Sequence, residues 1–212
     1  MTAPAANSIV VIGGGGHAKV VIELLRSLGN YHIVGCLDGD KLGQSVLGVP
    51  VIGNDDALAN LSNAGIKTAA LALGGNALRE KLAREASAIG FSLPALLSPS
   101  ALVSETASIG SGTVVLPRAV LHTSSAIGAY CIINTGAIIE HDCVLGQSVH
   151  IAPGSVLCGG VRIGDRTLIG ANTTIIPQVE VGPDTVIGAG SVVVRTIAGP
   201  GTYAGSPAKL LH

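Results

Sequence analysis

The sequence predicts two fold classes in one chain: an α/β unit with a Rossmann-like βαβ pattern, then a parallel β-helix of hexapeptide repeats. Three observations carry this reading. An aliphatic residue returns every sixth position from Val103 to Val193 without insertion or deletion, and hexapeptide repeats mark a parallel β-helix. Ile-Gly, Leu-Gly or Val-Gly recurs every eighteen residues, at Gly110, Gly128, Gly146, Gly164 and Gly182, so three hexapeptides make one coil. Ahead of the repeats, apolar runs alternate with helical patterns and glycine turns, as in a small parallel sheet covered by helices.

Taken in order, residues 1 to 7 read as a loose tail and Ser8 to Ile12 as a strand. Gly13 to Gly16 with His17 form a glycine turn into a helix near Ala18 to Leu28. A strand over Tyr31 to Leu37 ends at Asp38, followed by Gly39-Asp40-Lys41. A helix near Asp55 to Asn63, a strand Ala69 to Leu73, Gly74-Gly75 and a helix Ala77 to Ile89 complete the α/β unit. Pro94 and Pro99 punctuate a linker, so domains are expected at 1–95 and 100–212.

In the repeats, a small or slim residue stands two positions before each aliphatic, as at Thr113, Ala119, Cys131, Ala137, Cys143, Ser155, Val161 and Thr173. Strand alternation turns both inward. About five coils at roughly 4.8 Å give a rod near 24 Å long. The position between them faces outward and holds Val114, Val120, Ile132, Ile138, Val144, Val156, Leu168, Val186 and Val192. So much outward aliphatic surface marks a partner surface. Closed symmetry is the default for identical subunits, and the three-sided prism suggests a trimer packed along its rods.

Composition follows from this architecture: hydrophobic content is 48%, while aromatics are 2% and charged residues 12%, because stacked coils use slim aliphatic side chains. A net charge of -1 provides no electrostatic footprint for nucleic acid or an anionic membrane. Neither a signal-peptide pattern nor a membrane-length apolar run is present, so a cytoplasmic, soluble protein is expected. Cys36, Cys131, Cys143 and Cys158 lack CxxC spacing and read as packing residues rather than metal or redox groups.

Two stretches carry chemistry. Gly13, Gly15 and Ala18 fit G-x-G-x-x-A between a strand and a helix, where backbone N–H groups at a helix N-terminus cradle a pyrophosphate. Asp38 stands where a carboxylate meets a ribose or base. The competing reading is a sharp structural turn. Half a doubly wound unit favours a mononucleotide or nucleotide-sugar over a dinucleotide. Glu140-His141-Asp142 falls at a coil corner, and Asn134 follows Ile133. A histidine oriented by a carboxylate can act as a general base near neutral pH; the competing reading is a polar surface turn. His150 takes an outward position nine residues, half a coil, after His141. The two therefore lie on opposite sides of one prism and share a site only between subunits. His122 reads as a neighbour of that corner rather than a participant.

The repeats, the tail Ala204-Gly205-Ser206-Pro207-Ala208-Lys209 and the run Gly13 to Lys19 together resemble the sialic acid O-acetyltransferase family of left-handed β-helix acyltransferases. The similarity is greatest to the branch that N-acetylates nucleotide-linked 4-amino sugars for cell-surface glycans, and it covers essentially the whole chain. The resemblance implies left-handed coils and a homotrimer, with acetyl-CoA as co-substrate along the groove between adjacent β-helices and no metal. It makes His141 the base, Asp142 its orienting carboxylate and Asn134 part of the same pocket. His150 would approach the acetyl group from the neighbouring chain, while Gly159, Ala171, Pro207 and Lys209 would line the coenzyme channel. The nucleotide-sugar would meet Gly14, Gly15, Gly16, His17, Asp38, Asp40, Lys41, Gly74 and Gly75, a loop set shared by guanine and uracil relatives.

Rival readings are O-acetylation of sialic acid, a nucleotide-sensing trimer without catalysis, and a zinc carbonic anhydrase using His122, His141 and His150. The last lacks the closely spaced histidine pair those enzymes use. A nicotinamide dehydrogenase, suggested by Gly13-x-Gly15, lacks the second half of its fold.

Overall fold

The computed structural model describes residues 7–211; the expected loose tail lies outside them except for Asn7. The chain forms two compact units, Met1–Leu96 and Leu97–His212.

The first unit is a five-stranded sheet in the order β3-β4-β2-β1-β5. Its strands are β1 (Ser8–Ile12), β2 (His32–Leu37), β3 (Ser45–Val46), β4 (Val49–Gly53) and β5 (Thr68–Leu71). All neighbours are parallel except the β3–β4 hairpin, which the sequence reading leaves without elements. Central β1 is buried along its whole length, as a strand covered on both faces must be. Helix α1 (Gly16–Leu28) buries Ala18, Val21, Ile22, Leu24 and Leu25, the spacing of one helical face. It ends at Gly29, whose φ of 71° supplies the left-handed cap that glycine adopts without a Cβ clash. Helices α2 (Ala57–Asn63) and α3 (Asn76–Ile89) complete the unit. Expected and observed boundaries differ by one or two residues, as fraying ends allow.

The second unit is a three-faced β-helix of short strands, two residues long except Thr185–Ile187 and Gly201–Ala204. One face, here the His150 face, runs from Leu96–Leu97 to Lys209–Leu210; the Ile138 face has six strands and the Arg162 face five. Within the repeats strands pair in parallel at eighteen-residue offsets, Val120 to Ile138 to Val156 for example, and the His150 face ends in an antiparallel pair, Gly201–Ala204 with Lys209–Leu210. The inward aliphatics form one buried core from Val115 to Val193. The small inward residues are buried as expected, and many are polar for a reason. The Thr113, Ser155, Thr167 and Thr173 hydroxyls donate to carbonyls fifteen residues on, at Gly128, Gly170, Gly182 and Gly188. These bonds satisfy polar atoms that the interior would otherwise penalise.

Each corner uses a residue with positive φ, from Arg118, Ser124 and Tyr130 to Asp142, Ser148, Arg166, Asn172 and Gln178, with glycine at 112, 136, 154, 160 and 190. The eighteen-residue glycine row is a different column without positive φ, at the corner between the Arg162 and His150 faces. There a Cβ on Gly110, Gly128, Gly164 or Gly182 would overlap the backbone of the next coil. One expectation needs correcting. The outward aliphatics do not form a uniform exposed stripe: Val114 and Ile132 are buried, at 2% and 0% exposure, and Val120, Ile138, Val156 and Leu168 are half-buried.

Candidate active site

His141 and Asp142 occupy the turn between strands Ile138–Ile139 and Val144–Leu145, where the Ile138 face meets the Arg162 face. Asp142 has φ 60°, a conformation that asparagine and aspartate tolerate better than most residues. His141 Nδ1 and Asp142 Oδ2 are 2.8 Å apart. An ionised carboxylate only accepts, so Nδ1 carries the proton and Nε2 presents a lone pair. Both side chains are exposed, which leaves the imidazole open to solvent. Gly159 lies one coil further along the same corner, against the imidazole.

Asn134 belongs elsewhere. It sits at the corner between the His150 and Ile138 faces, and its Nδ2 lies 3.2 Å from His150 Nε2. Within one chain the structure therefore groups Asn134 with His150, not with His141. The family resemblance implies that Asn134 shares the His141 pocket; within one chain the two stand at neighbouring corners, with the Ile138 face between them. Ala171 shares the Asn134 corner. His122 lies on the His141 corner one coil earlier, in the column that Glu140 continues.

At the far end of the β-helix a cavity of about 420 Å³ is lined by Arg195, Tyr203, Ala208, Lys209 and neighbours. Lys209 was expected in a coenzyme channel; Arg195 and Tyr203 were not. The signal for Arg195 is its place in the sequence, three coils after His141 in the same corner column. Two cations beside an aromatic ring suit a nucleoside bearing phosphates. Pro207, expected beside Lys209, is exposed and follows a cis peptide bond.

In the first unit the glycine turn, Asp38 and Lys41 meet at the carboxyl ends of β1 and β2. Gly14 N donates to Asp38 Oδ2 at 3.1 Å, Asp40 N donates to Oδ1 at 3.1 Å, and Lys41 Nζ donates to Gly14 O at 2.7 Å. Asp38 thus braces the glycine turn through Oδ2 and caps the following Gly39–Lys41 turn through Oδ1, a role the sequence reading, which aimed it at a ribose, did not foresee. Asp40 contributes its backbone to this cap. Gly13 has φ 110°, and a Cβ there would lie 2.7 Å from Ala72 O, so the turn closes tightly on the end of β5. The crevice beyond such strand ends, where neighbouring connections diverge, is where open α/β sheets bind ligands.

Sequence reasoning also missed Arg79. It is 1% exposed and donates to Leu73 O, Gly74 O and Asn76 Oδ1, which fixes the Gly74-Gly75 loop. Burial, with Arg79 nearby, lowers the His17 pKa to about 4, so this imidazole is neutral at neutral pH. Its Nε2 is buried and has no hydrogen-bond partner among the described residues.

Comparison with known proteins fits this arrangement. Residues 8–86 match the PglD N-terminal domain model, and 142–177 and 160–195 match the bacterial transferase hexapeptide model. A single-residue variant of perosamine N-acetyltransferase from Caulobacter crescentus, solved with CoA and GDP-perosamine, is 44% identical, with 98% of this chain and 98% of that chain covered and a TM-score of 0.95; PerB from the same organism, solved with the same two ligands, is 45% identical over 98% of this chain and 99% of that one, with a TM-score of 0.94. The acetyltransferase domain of PglB from Neisseria gonorrhoeae FA1090 is 43% identical over 97% of this chain and 100% of that one, with a TM-score of 0.93. UDP-N-acetylbacillosamine N-acetyltransferase from Bacillus subtilis (strain 168) is 35% identical over 111 residues, about half the length of each protein.

Fold and site thus define an acyltransferase of the hexapeptide-repeat class, with a left-handed β-helix as its second unit. More narrowly, the chain belongs to the amino-sugar N-acetyltransferase family that joins a PglD N-terminal domain to hexapeptide repeats.

Proposed function

We propose that the protein transfers an acetyl group from acetyl-CoA to the C4 amino group of a nucleotide-linked 4-amino-4,6-dideoxy sugar, GDP-perosamine first and a UDP-linked sugar next. The observation that carries this reading is the exposed His141–Asp142 pair, with Nε2 free to accept a proton, in a chain alike over its whole length to a protein solved with CoA and GDP-perosamine.

The chemistry follows from the pair. An amine attacks a thioester as the neutral base and must lose a proton as the C–N bond forms. His141 Nε2 takes that proton, while Asp142 stabilises the imidazolium. Backbone N–H groups are suited to hold the tetrahedral oxyanion. When the C–S bond breaks, His141 returns the proton to the departing sulfur, leaving amide and free CoA. Arg195 and Lys209 are suited to the coenzyme's phosphates. The glycine turn, Lys41 and neutral His17 are suited to the nucleotide diphosphate.

The active form in this proposal is a cytoplasmic homotrimer. Two faces of the β-helix carry mostly apolar, half-buried outward residues and meet at the Asn134 corner; the third carries exposed Ser108, Arg162 and Glu180. Packing the His150 face of one subunit against the Ile138 face of the next brings His150 and Asn134 toward the partner's His141 corner. Among the described residues no helix is long and apolar enough to cross a membrane.

A discontinuous assay with acetyl-CoA and GDP-, UDP- and dTDP-linked 4-amino sugars, with sialic acid in parallel, tests the reading. Amide formation on GDP-perosamine is expected. Ester formation on sialic acid, with no reaction of the amino sugars, overturns it.

A further inference from the structure

We infer that Gly159 is the positioning residue of the base: its missing side chain is the seat on which the His141 imidazole rests. At this corner one position per coil stacks into a column, occupied by Glu105, Thr123, His141, Gly159, Pro177 and Arg195. Every member but Gly159 bears a side chain. The stack is held in register, since Gly160 N donates to His141 O at 2.9 Å and Gln178 N donates to Gly159 O at 3.0 Å. A Cβ built on Gly159 would lie 2.5 Å from His141 Cε1 and 2.6 Å from Nε2. The ring therefore lies directly over this one gap in the column.

Gly159 is not needed for the backbone. Its φ lies outside the left-handed region, which is taken at this turn by the next residue, Gly160, at 72°. An alanine is therefore free of backbone strain at position 159. It also differs from the glycines of the eighteen-residue row, whose added Cβ would strike backbone that cannot give way. At Gly159 the obstacle is the tip of an exposed side chain, and rotating it costs little stability. Ordinary contact begins near 3.4 Å, so the ring must retreat by about 1 Å. A misplacement of that size in a catalytic group can lower the rate by about 10²-fold, and it also pulls Nδ1 from Asp142.

The inference rests on His141 being the base, and the test separates the two claims. Gly159→Ala keeps the backbone N–H, so any donation from that amide to the thioester carbonyl survives. In the otherwise unaltered enzyme, kcat should fall about 10- to 100-fold, with KM for both substrates within about twofold and the melting temperature unchanged. In a His141→Ala background, Gly159→Ala should produce no further fall, because nothing is left to displace. Equal falls in both backgrounds, a rise in KM for acetyl-CoA alone, unaltered kcat, or a variant that no longer folds would each overturn the seat. Near-full turnover by His141→Ala alone would instead remove His141 as the base.

Discussion

His17 and His141 are the same side chain put to opposite uses in the two units. His17 lies in the second position of α1 with Nε2 buried and the Arg79 cation nearby, so it stays neutral and is suited to binding. His141 stands exposed on a β-helix corner with a carboxylate at 2.8 Å, so its ring is oriented by a neighbour while Nε2 stays open. Burial beside a like charge holds an imidazole neutral, whereas an adjacent carboxylate favours its charged form.

Removing the proposed base has the largest expected effect. His141→Ala or His141→Asn should lower kcat by about 10² to 10⁴, with substrate binding largely kept, as initial rates and calorimetric titration can check. The contrast at His17 is sharpened by acid. Its folded pKa, about 4, lies below the ordinary 6.5, so the unfolded chain binds the proton first as pH falls. Stability is full above pH 6.5 and is lost progressively down to about pH 4, by at most about 3 kcal/mol. Urea melts across that range should show the slope in the parent protein and lose it in His17→Asn.

The corners of the β-helix offer a second contrast. Gly128→Ala, which sets a Cβ against the Gly146 backbone, should cost about 1–3 kcal/mol while the folded fraction keeps its kcat. Thermal melts with activity measured below the transition would show it. The smallest effect is expected at the exposed pair Arg166–Asp184, 2.7 Å apart, where Arg166 holds the Asp184 carboxyl below its usual range. Arg166→Ala should change stability by less than about 1 kcal/mol, measured by denaturant titration, and leave turnover unchanged.

Much of this molecule is local in origin. The β-helix was legible because each hexapeptide repeats one decision, aliphatic inward and turn at the corner, and sixteen repeats agree. The strands and helices of the α/β unit were legible from apolar runs ending in glycine. The β3–β4 hairpin was not, because Gly43, Gly48 and Pro50 break a segment too short to show alternation. His141 with Asp142 could be read as a pair because they are adjacent and the period fixes the corner.

Sequence by itself thus determined the coil, its register and the corner on which His141 and Asp142 stand together. Tertiary structure alone decided that Asn134 answers to His150, that Asp38 braces the glycine turn, that Arg79 lies buried under Gly74, and that Gly159 leaves room for the imidazole. The reason is physical. The repeat writes the period and the inward positions into each hexapeptide, but these contacts join particular side chains from 5 to 24 positions apart that no repeat specifies. They depend on side-chain directions that exist only once the coils and strands have stacked.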